Sequence, residues 1–307
     1  MDVSVCICTW NRAEDLRRTL EPFRALSVRD SIQWELLVVD NNSSDHTQKV
    51  CACFSDLPLR VELEPEQGIA RARNRALNSA RGALLLWCDD DETVNPGWME
   101  AYLLATEAHP DALYFGGPLV PVFDPPVPSW LDKAWMEVKD AFSYIDLGTE
   151  PRAIAKGEIL ANGNFAIRAS VARQHRYDPE LGNVGDRIRL GEDTAIQESL
   201  QANDAPGIWV PAAMVHHRIP QERMTLRYIG KRCQAAGRFE AVKRTRSRMG
   251  RAAGCFVRSL ECHARFRIER ALGARPERWM ARFWRAHTKW GRLRGLLHGI
   301  LRGSRRS

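Results

Sequence analysis

Leu84-Leu85-Leu86-Trp87-Cys88-Asp89-Asp90-Asp91-Glu92 is an apolar run of strand length that ends abruptly in four acids. Such a run is far too short to span a bilayer, and it suits a strand buried on both faces of a helix-covered parallel sheet. Sheets of that kind bind ligands beyond the carboxyl ends of their strands, which is where these acids fall. Toward the N-terminus, Val3–Thr9 and Leu36–Asp40 are similar β-branched runs ending in polar residues. Leu16, Leu20 and Phe23 recur between them at helical spacing, with Asn11 and Glu14 as a capping pair. A strand near Arg60–Leu63 and a helix over Gly68–Ala80 complete the approach to the quoted run. Beyond it, Pro96 opens a helix carrying Trp98, Leu103 and Leu104, and Ala112–Phe115 enters another strand. This alternation predicts an α/β fold, a Rossmann-like and mostly parallel sheet with helices on both faces.

Pro118–Ser129 holds five prolines and reads as a loop, followed by a short helix with Trp130 and Trp135. Ile159–Arg168 reads as a strand, Asp193–Gln201 as a helix, and Gly207–Val210 as a last short strand. After Pro220 the pattern is helical and basic. The net charge of +7 conceals an asymmetry: residues 218–307 carry 25 Lys and Arg against five acids, whereas residues 1–217 carry 20 against 33. The expectation is a catalytic domain over residues 1–218 and a basic amphipathic helical tail over residues 219–307.

The composition excludes several classes. No secretory signal opens the sequence, and no apolar run reaches membrane-spanning length. The eight cysteines include no Cys-x-x-Cys pair; Cys6 and Cys8 share one strand face and read as small buried hydrophobes. A reducing cytosolic compartment is therefore expected. Four acids abutting an apolar strand are costly unless a cation neutralises them, and oxygen ligands suit Mg²⁺ or Mn²⁺. A solvated acidic turn is the alternative, and the apolar strand beside it argues against that.

Cys8-Thr9-Trp10-Asn11-Arg12, Val38-Val39-Asp40-Asn41-Asn42-Ser43-Ser44-Asp45, Gly68-Ile69-Ala70-Arg71-Ala72-Arg73-Asn74, Asp89-x-Asp91 and Gly191-Glu192-Asp193 occur in the order seen in family 2 glycosyltransferases. The chain resembles that family over roughly residues 2–220. The resemblance implies an inverting, metal-dependent transferase of GT-A fold, with a UDP-sugar as default donor. It implies that Thr9, Asn11 and Arg12 line the nucleotide pocket and that Asp40 accepts hydrogen bonds from the base or ribose. Arg71 and Arg73 would face the diphosphate near a helix N-terminus. Asp91 would contact the metal, with Asp89 or Asp90 nearer the ribose or a metal-bound water. Asp193 would be the general base and Glu192 its orienting partner. His217, with His216 as second choice, would approach the metal or diphosphate. Asn162-Gly163-Asn164-Phe165-Ala166-Ile167-Arg168 resembles the segment behind the acceptor site, and Trp130 and Trp135 suit either sugar stacking or core packing.

In the tail, Trp279, Met280, Phe283, Trp284, Trp290, Leu293, Leu297, Ile300 and Leu301 recur at mostly three- or four-residue steps. Nine Lys and Arg and no acid lie between Arg278 and Arg306. That pattern describes a helix lying in an anionic membrane interface, at the cytoplasmic face where a lipid-linked or polysaccharide acceptor would be met. Nucleic acid is the weaker partner for the same charge, because no recognised binding motif accompanies it. Two rival functions are a sugar-nucleotide pyrophosphorylase, weakened by the absence of glycine after the first strand, and a basic adaptor without catalysis.

Overall fold

The computed structural model describes residues 1–243 and 248–303, which divide into two units. The first comprises residues 1–122, 144–187 and 192–218; the second comprises residues 123–143, 188–191 and 219–307. The strands are β1 (Val3–Thr9), β2 (Trp34–Asp40), β3 (Leu59–Leu63), β4 (Leu84–Trp87), β5 (Glu92–Val94), β6 (Tyr114–Gly116), β7 (Leu119–Phe123), β8 (Arg152–Ala153), β9 (Phe165–Arg168), β10 (Gly207–Trp209) and β11 (Val215–Ile219). The first unit's helices are α1 (Ala13–Leu20), α2 (Thr47–Ala52), α3 (Ile69–Ser79), α4 (Trp98–Ala108), α7 (Ala169–Ala172) and α8 (Glu192–Ala202). Those of the second are α5 (Ser129–Lys133), α6 (Trp135–Val138), α9 (Leu226–Lys243), α10 (Arg248–Ala271) and α11 (Pro276–Gly303).

Among the described residues, eight strands form one sheet in the order β3-β2-β1-β4-β9-β6-β10-β8, and a second sheet runs β5-β11-β7. Pairing is parallel from β3 to β4, but β9 runs antiparallel between β4 and β6. Side chains alternate between two cores, as period-2 geometry requires. Val5, Ile7, Leu36, Val38, Leu84 and Leu86 pack with Leu16, Leu20, Trp98 and Tyr102 on one face. Cys6, Cys8, Leu37, Val39, Leu85 and Trp87 pack with Ala76, Leu77, Ile196 and Leu200 on the other. Both thiols are buried and free, and burial pushes Cys8 up to about 12.

Several sequence expectations are corrected. The proline-rich segment is not loop throughout, since β7 runs through it; Pro121 is tolerated because β7 is an edge strand. Gly207–Val210 is not the last strand, since β11 follows. Asn11 and Glu14 do not form the expected cap: the Ala13 N–H at the start of α1 donates instead to Asp45 Oδ2 at 3.0 Å. That cap arrives from the loop after β2, which local spacing does not reveal.

The second unit has its own apolar centre. Trp279, Met280 and Phe283 of α11 pack with Leu131, Val138, Phe142, Ile229, Cys233 and Phe266. Helices α9 and α11 approach closely enough that a Cβ on Gly237 would meet the Thr288 carbonyl, and one on Gly291 the Gln234 carbonyl. The apolar face assigned from sequence to a membrane interface is therefore the core of a helical assembly over Trp279–Phe283. Trp130 and Trp135 pack against the same centre, where Trp135 stacks on Phe142 with centroids 6.3 Å apart. The side chains of Ile300, Leu301 and Arg302, and residues Arg305 and Arg306, fall outside the described part of the tail. No described helix is long and apolar enough to cross a membrane.

Candidate active site

Strands β1, β2 and β4 end side by side, so Thr9, Asp40 and the acids after Trp87 emerge at one edge. Three of the four acids meet the protein's own cations. Arg12, just past β1, donates to Asp90 Oδ1 at 2.5 Å and to Asp91 Oδ2 at 2.7 Å. Burial opposes its charge, but Asp90 and Asp91 more than offset this and hold the guanidinium charged. Thr9 Oγ1 donates to Asp90 Oδ2 at 2.7 Å. Burial pushes Asp90 up to about 7 against the pull of Arg12. Asp90 is thus an inward carboxyl held by two partners, while the Asp89 side chain is 43% exposed.

The sequence marks Glu92 only as the fourth acid of the run. It is buried, and its Oε2 accepts the Asp89 N–H at 2.7 Å, holding the acidic turn in place. Burial, then Asp89 and Asp91, raise its carboxyl well above the usual range. Strand β5 begins at Glu92 and pairs antiparallel with β11, opposing Glu92 to His217 and Thr93 to His216. That register brings His217 Nε2 within 3.4 Å of Asp91 Oδ2, while His216 pairs one position on. A carboxylate and an imidazole converging this way fit Mn²⁺ better than oxygen-seeking Mg²⁺, and a metal there would take the place of Arg12 on Asp91 Oδ2. Among the described residues no group of three or more metal-binding side chains forms, so the other ligands would be water and substrate oxygens, the common arrangement for these ions.

Asp40 is 1% exposed; its Oδ1 accepts the Ser43 N–H at 2.9 Å, while its Oδ2 is buried without a hydrogen-bond partner. An unpartnered carboxylate oxygen there fits a donor supplied by a ligand. Asn11, at φ 51°, turns its side-chain carbonyl to the Ser44 N–H at 2.7 Å, so it ties the β1 end to the β2 loop. Asn41 performs a similar task unforeseen from sequence. Its amide donates to the Glu64 and Glu66 carbonyls, and its Oδ1 accepts the Gly68 N–H at 2.8 Å, fixing the entry to α3. Gly68 sits at φ 141°, a conformation that side chains resist.

The two arginines of α3 part company. Arg71 is exposed and pairs with Glu66 at 2.8 Å. Arg73 is 4% exposed and lies above the Tyr177 ring at 5.5 Å. Its Nη1 contacts Glu192 Oε1 at 3.0 Å and Asp193 Oδ1, and its Nη2 lies 3.4 Å from Asp89 Oδ1. One guanidinium thus joins the acidic turn after β4 to the first turn of α8. Burial and the neighbouring Asp193 push Glu192 up to about 7, with Arg73 opposing them. Burial likewise raises Asp193, whose side chain keeps 29% exposure, while Arg73 and the Asn162 N–H pull it back. Behind this group, Asn164 accepts from Trp98 Nε1 and Tyr102 Oη and donates to the Pro118 and Ala213 carbonyls. It is a buried brace with all its groups satisfied. Gly163 packs so tightly on the Glu92 carboxyl that a Cβ has no room.

A family model described as glycosyl transferase family 2 matches residues 4–162. The chain belongs to that family. Its members' chemistry makes it a transferase and sets aside the pyrophosphorylase and non-catalytic adaptor alternatives. It is 27% identical over 239 residues to the succinoglycan biosynthesis protein ExoM of Rhizobium meliloti, covering 76% of this chain and 72% of that one. It is 30% identical over 233 residues to the glucosyl-dolichyl phosphate glucuronosyltransferase of Haloferax volcanii, covering 73% and 71%. A mannosyltransferase of Pyrobaculum calidifontis, solved with GDP-Man and Mn²⁺, superposes with a TM-score of 0.56 at 16% identity, over 99% of this chain and 75% of that one. TarS 1-349 of S. aureus gives 0.54 at 18%, over 99% and 92%. Of a longer TarS chain, this protein spans 45%. These likenesses establish the GT-A fold.

Proposed function

We propose that the protein transfers a sugar, with inversion, from a nucleotide-diphosphate-sugar to a hydroxyl of a lipid-linked or polysaccharide acceptor. The Arg73 bridge carries this reading, because it ties the candidate base Asp193 to the Asp89-x-Asp91 turn. In a single displacement the acceptor oxygen attacks the anomeric carbon, its proton passes to the Asp193 carboxylate, and the bond to the diphosphate breaks. Glu192 shares Arg73 with Asp193 and so orients the base. Thr9, Arg12 and the unpartnered Asp40 oxygen suit the nucleotide, and exposed Arg71 suits the phosphates. Asp91 and His217 would hold a divalent metal, which when bound supplies charge stabilisation to the departing diphosphate. The relatives' names support the acceptor class, one acting in succinoglycan biosynthesis and another on a dolichyl phosphate sugar. The Mn²⁺ and GDP-Man of the mannosyltransferase support the donor class. The mostly basic second unit suits work at an anionic membrane surface on its cytoplasmic side.

Thermal shift with UDP, GDP and dTDP plus Mn²⁺, then transfer to extracted lipid-linked acceptors, tests the reading. Asp193→Asn is expected to keep nucleotide binding and lose transfer by roughly 10²–10⁴-fold. Full transfer by that variant refutes the base, and no stabilisation by any nucleotide refutes the donor.

A further inference from the structure

We propose that the outward face of α10 attaches the protein to an anionic lipid bilayer. The inward face of α10 is already satisfied: Ser259, Cys262 and Phe266 are buried, and Ser259 Oγ donates to the Ala286 carbonyl at 2.9 Å. A surface helix ordinarily turns polar side chains outward. Helix α10 instead presents Val257 at 62%, Leu260 at 54% and Ile268 at 58% exposure, with Leu272 at 80% just beyond its end. Through exposed Ala264 these follow three- and four-residue steps, so they form one stripe, interrupted by exposed Glu261, which helical geometry sets on the same face. Phe256 and Trp290, both partly exposed with ring centroids 6.4 Å apart, continue the patch onto α11.

The charge beside the stripe selects the occupant. Helical geometry puts Arg258 and Arg265 along one flank and Arg267 along the other. Glu261 is paired with Arg265 at 2.8 Å, and Glu269 is turned to Arg278 and Arg282. An exposed apolar stripe flanked by arginines matches the headgroup–acyl boundary of an anionic leaflet. A second copy would set arginines against arginines. The surface differs from the one expected from sequence, because the Trp279–Phe283 face of α11 is occupied by its own core. This inference gives the proposed lipid-linked acceptor reading its membrane contact, yet its test requires neither donor nor acceptor.

Full-length protein is floated with vesicles of phosphatidylcholine alone or with phosphatidylglycerol added. The parent is expected to float only with the anionic vesicles. Leu260→Glu with Ile268→Glu, both exposed and with unchanged circular dichroism, is expected to abolish flotation. Arg258→Gln with Arg267→Gln is expected to lower the partition coefficient roughly 30-fold, about fivefold per arginine. Failure of the parent to float with anionic vesicles overturns the proposal, as does undiminished flotation of the glutamate pair. A dimer lost on Ile268→Glu, without vesicle binding, assigns the face to a second copy and likewise overturns it. Normal flotation of a protein that shows no glycosyl transfer upholds the attachment and faults the functional reading alone.

Discussion

Replacing Arg73 by Met removes a buried cation while keeping most of its apolar volume. Arg73 is 4% exposed, and the Glu192 side chain beside it is 10% exposed. Removing one partner of such a buried pair costs about 3–5 kcal/mol when the remaining charge has no relief. Relief is available through protonation. Glu192 already stands near 7 with Arg73 present, and without it both Glu192 and Asp193 move higher. A carboxyl whose folded-state value is raised contributes stability below its unfolded value, near 4, and loses it as pH rises through the folded value. The variant is therefore expected to lose about 3–5 kcal/mol at pH 8.5 but only about 1–2 kcal/mol at pH 5.5, where lost hydrogen bonds remain. Urea unfolding followed by circular dichroism at both pH values measures this. Adding Glu192→Gln is expected to recover most of the loss at pH 8.5. A penalty that is equal at the two pH values, or an unaltered double variant, refutes the assignment of Arg73 as counter-ion to the acid pair.

Two packing predictions concern glycines whose added methyl would have to displace a neighbour, a buried side-chain carboxyl at Gly163 and a backbone carbonyl at Gly291. Gly163→Ala drives a methyl into the Glu92 carboxyl and is expected to cost about 2 kcal/mol in urea unfolding and to weaken nucleotide binding, because Glu92 holds the Asp89 N–H. Gly291→Ala meets the Gln234 carbonyl, and it is expected to lower the thermal midpoint although alanine favours an isolated helix by about 1 kcal/mol. A rise in midpoint would mean that helix propensity outweighs the close crossing of α9 and α11.

Most of the sheet was legible because its signals are local. Val3–Thr9 was read with the observed ends, and the helix over Gly68–Ala80 differs from α3 by one residue at each end. The strands that the sequence does not reveal are β5, β7, β8 and β11, and β5 and β11 show that their stability is nonlocal. β5 is three residues opening on an acid, and β11 carries His216, His217 and Arg218, so neither shows an apolar alternation. Yet their pairing is what sets His217 beside Asp91. Candidate site residues are proposed by type and order, whereas the partners each one meets are not legible in that way. Arg71 and Arg73 stand about 200° apart around a helix, so spacing alone says that they face differently. Which one turns inward depends on the distant Glu192 and Asp193.

The sequence by itself determined the alternation of strands and helices, the delivery of carboxylates to one sheet edge, and the concentration of basic charge after residue 218. These are properties of neighbours along the chain, expressed through periodicity and composition. Tertiary structure decided which cations the acids meet and which apolar faces are covered. Arg12 reaches Asp90 and Asp91 across 78 and 79 positions, and Arg73 reaches Glu192 across 119. In the tail, α10 and α11 both carry amphipathic patterns, but only packing distinguished a face buried among helices from one left to solvent. Hydrophobic periodicity records that a face must leave water, and the same free-energy gain is available from protein or lipid, so the folded neighbours determine which one receives it.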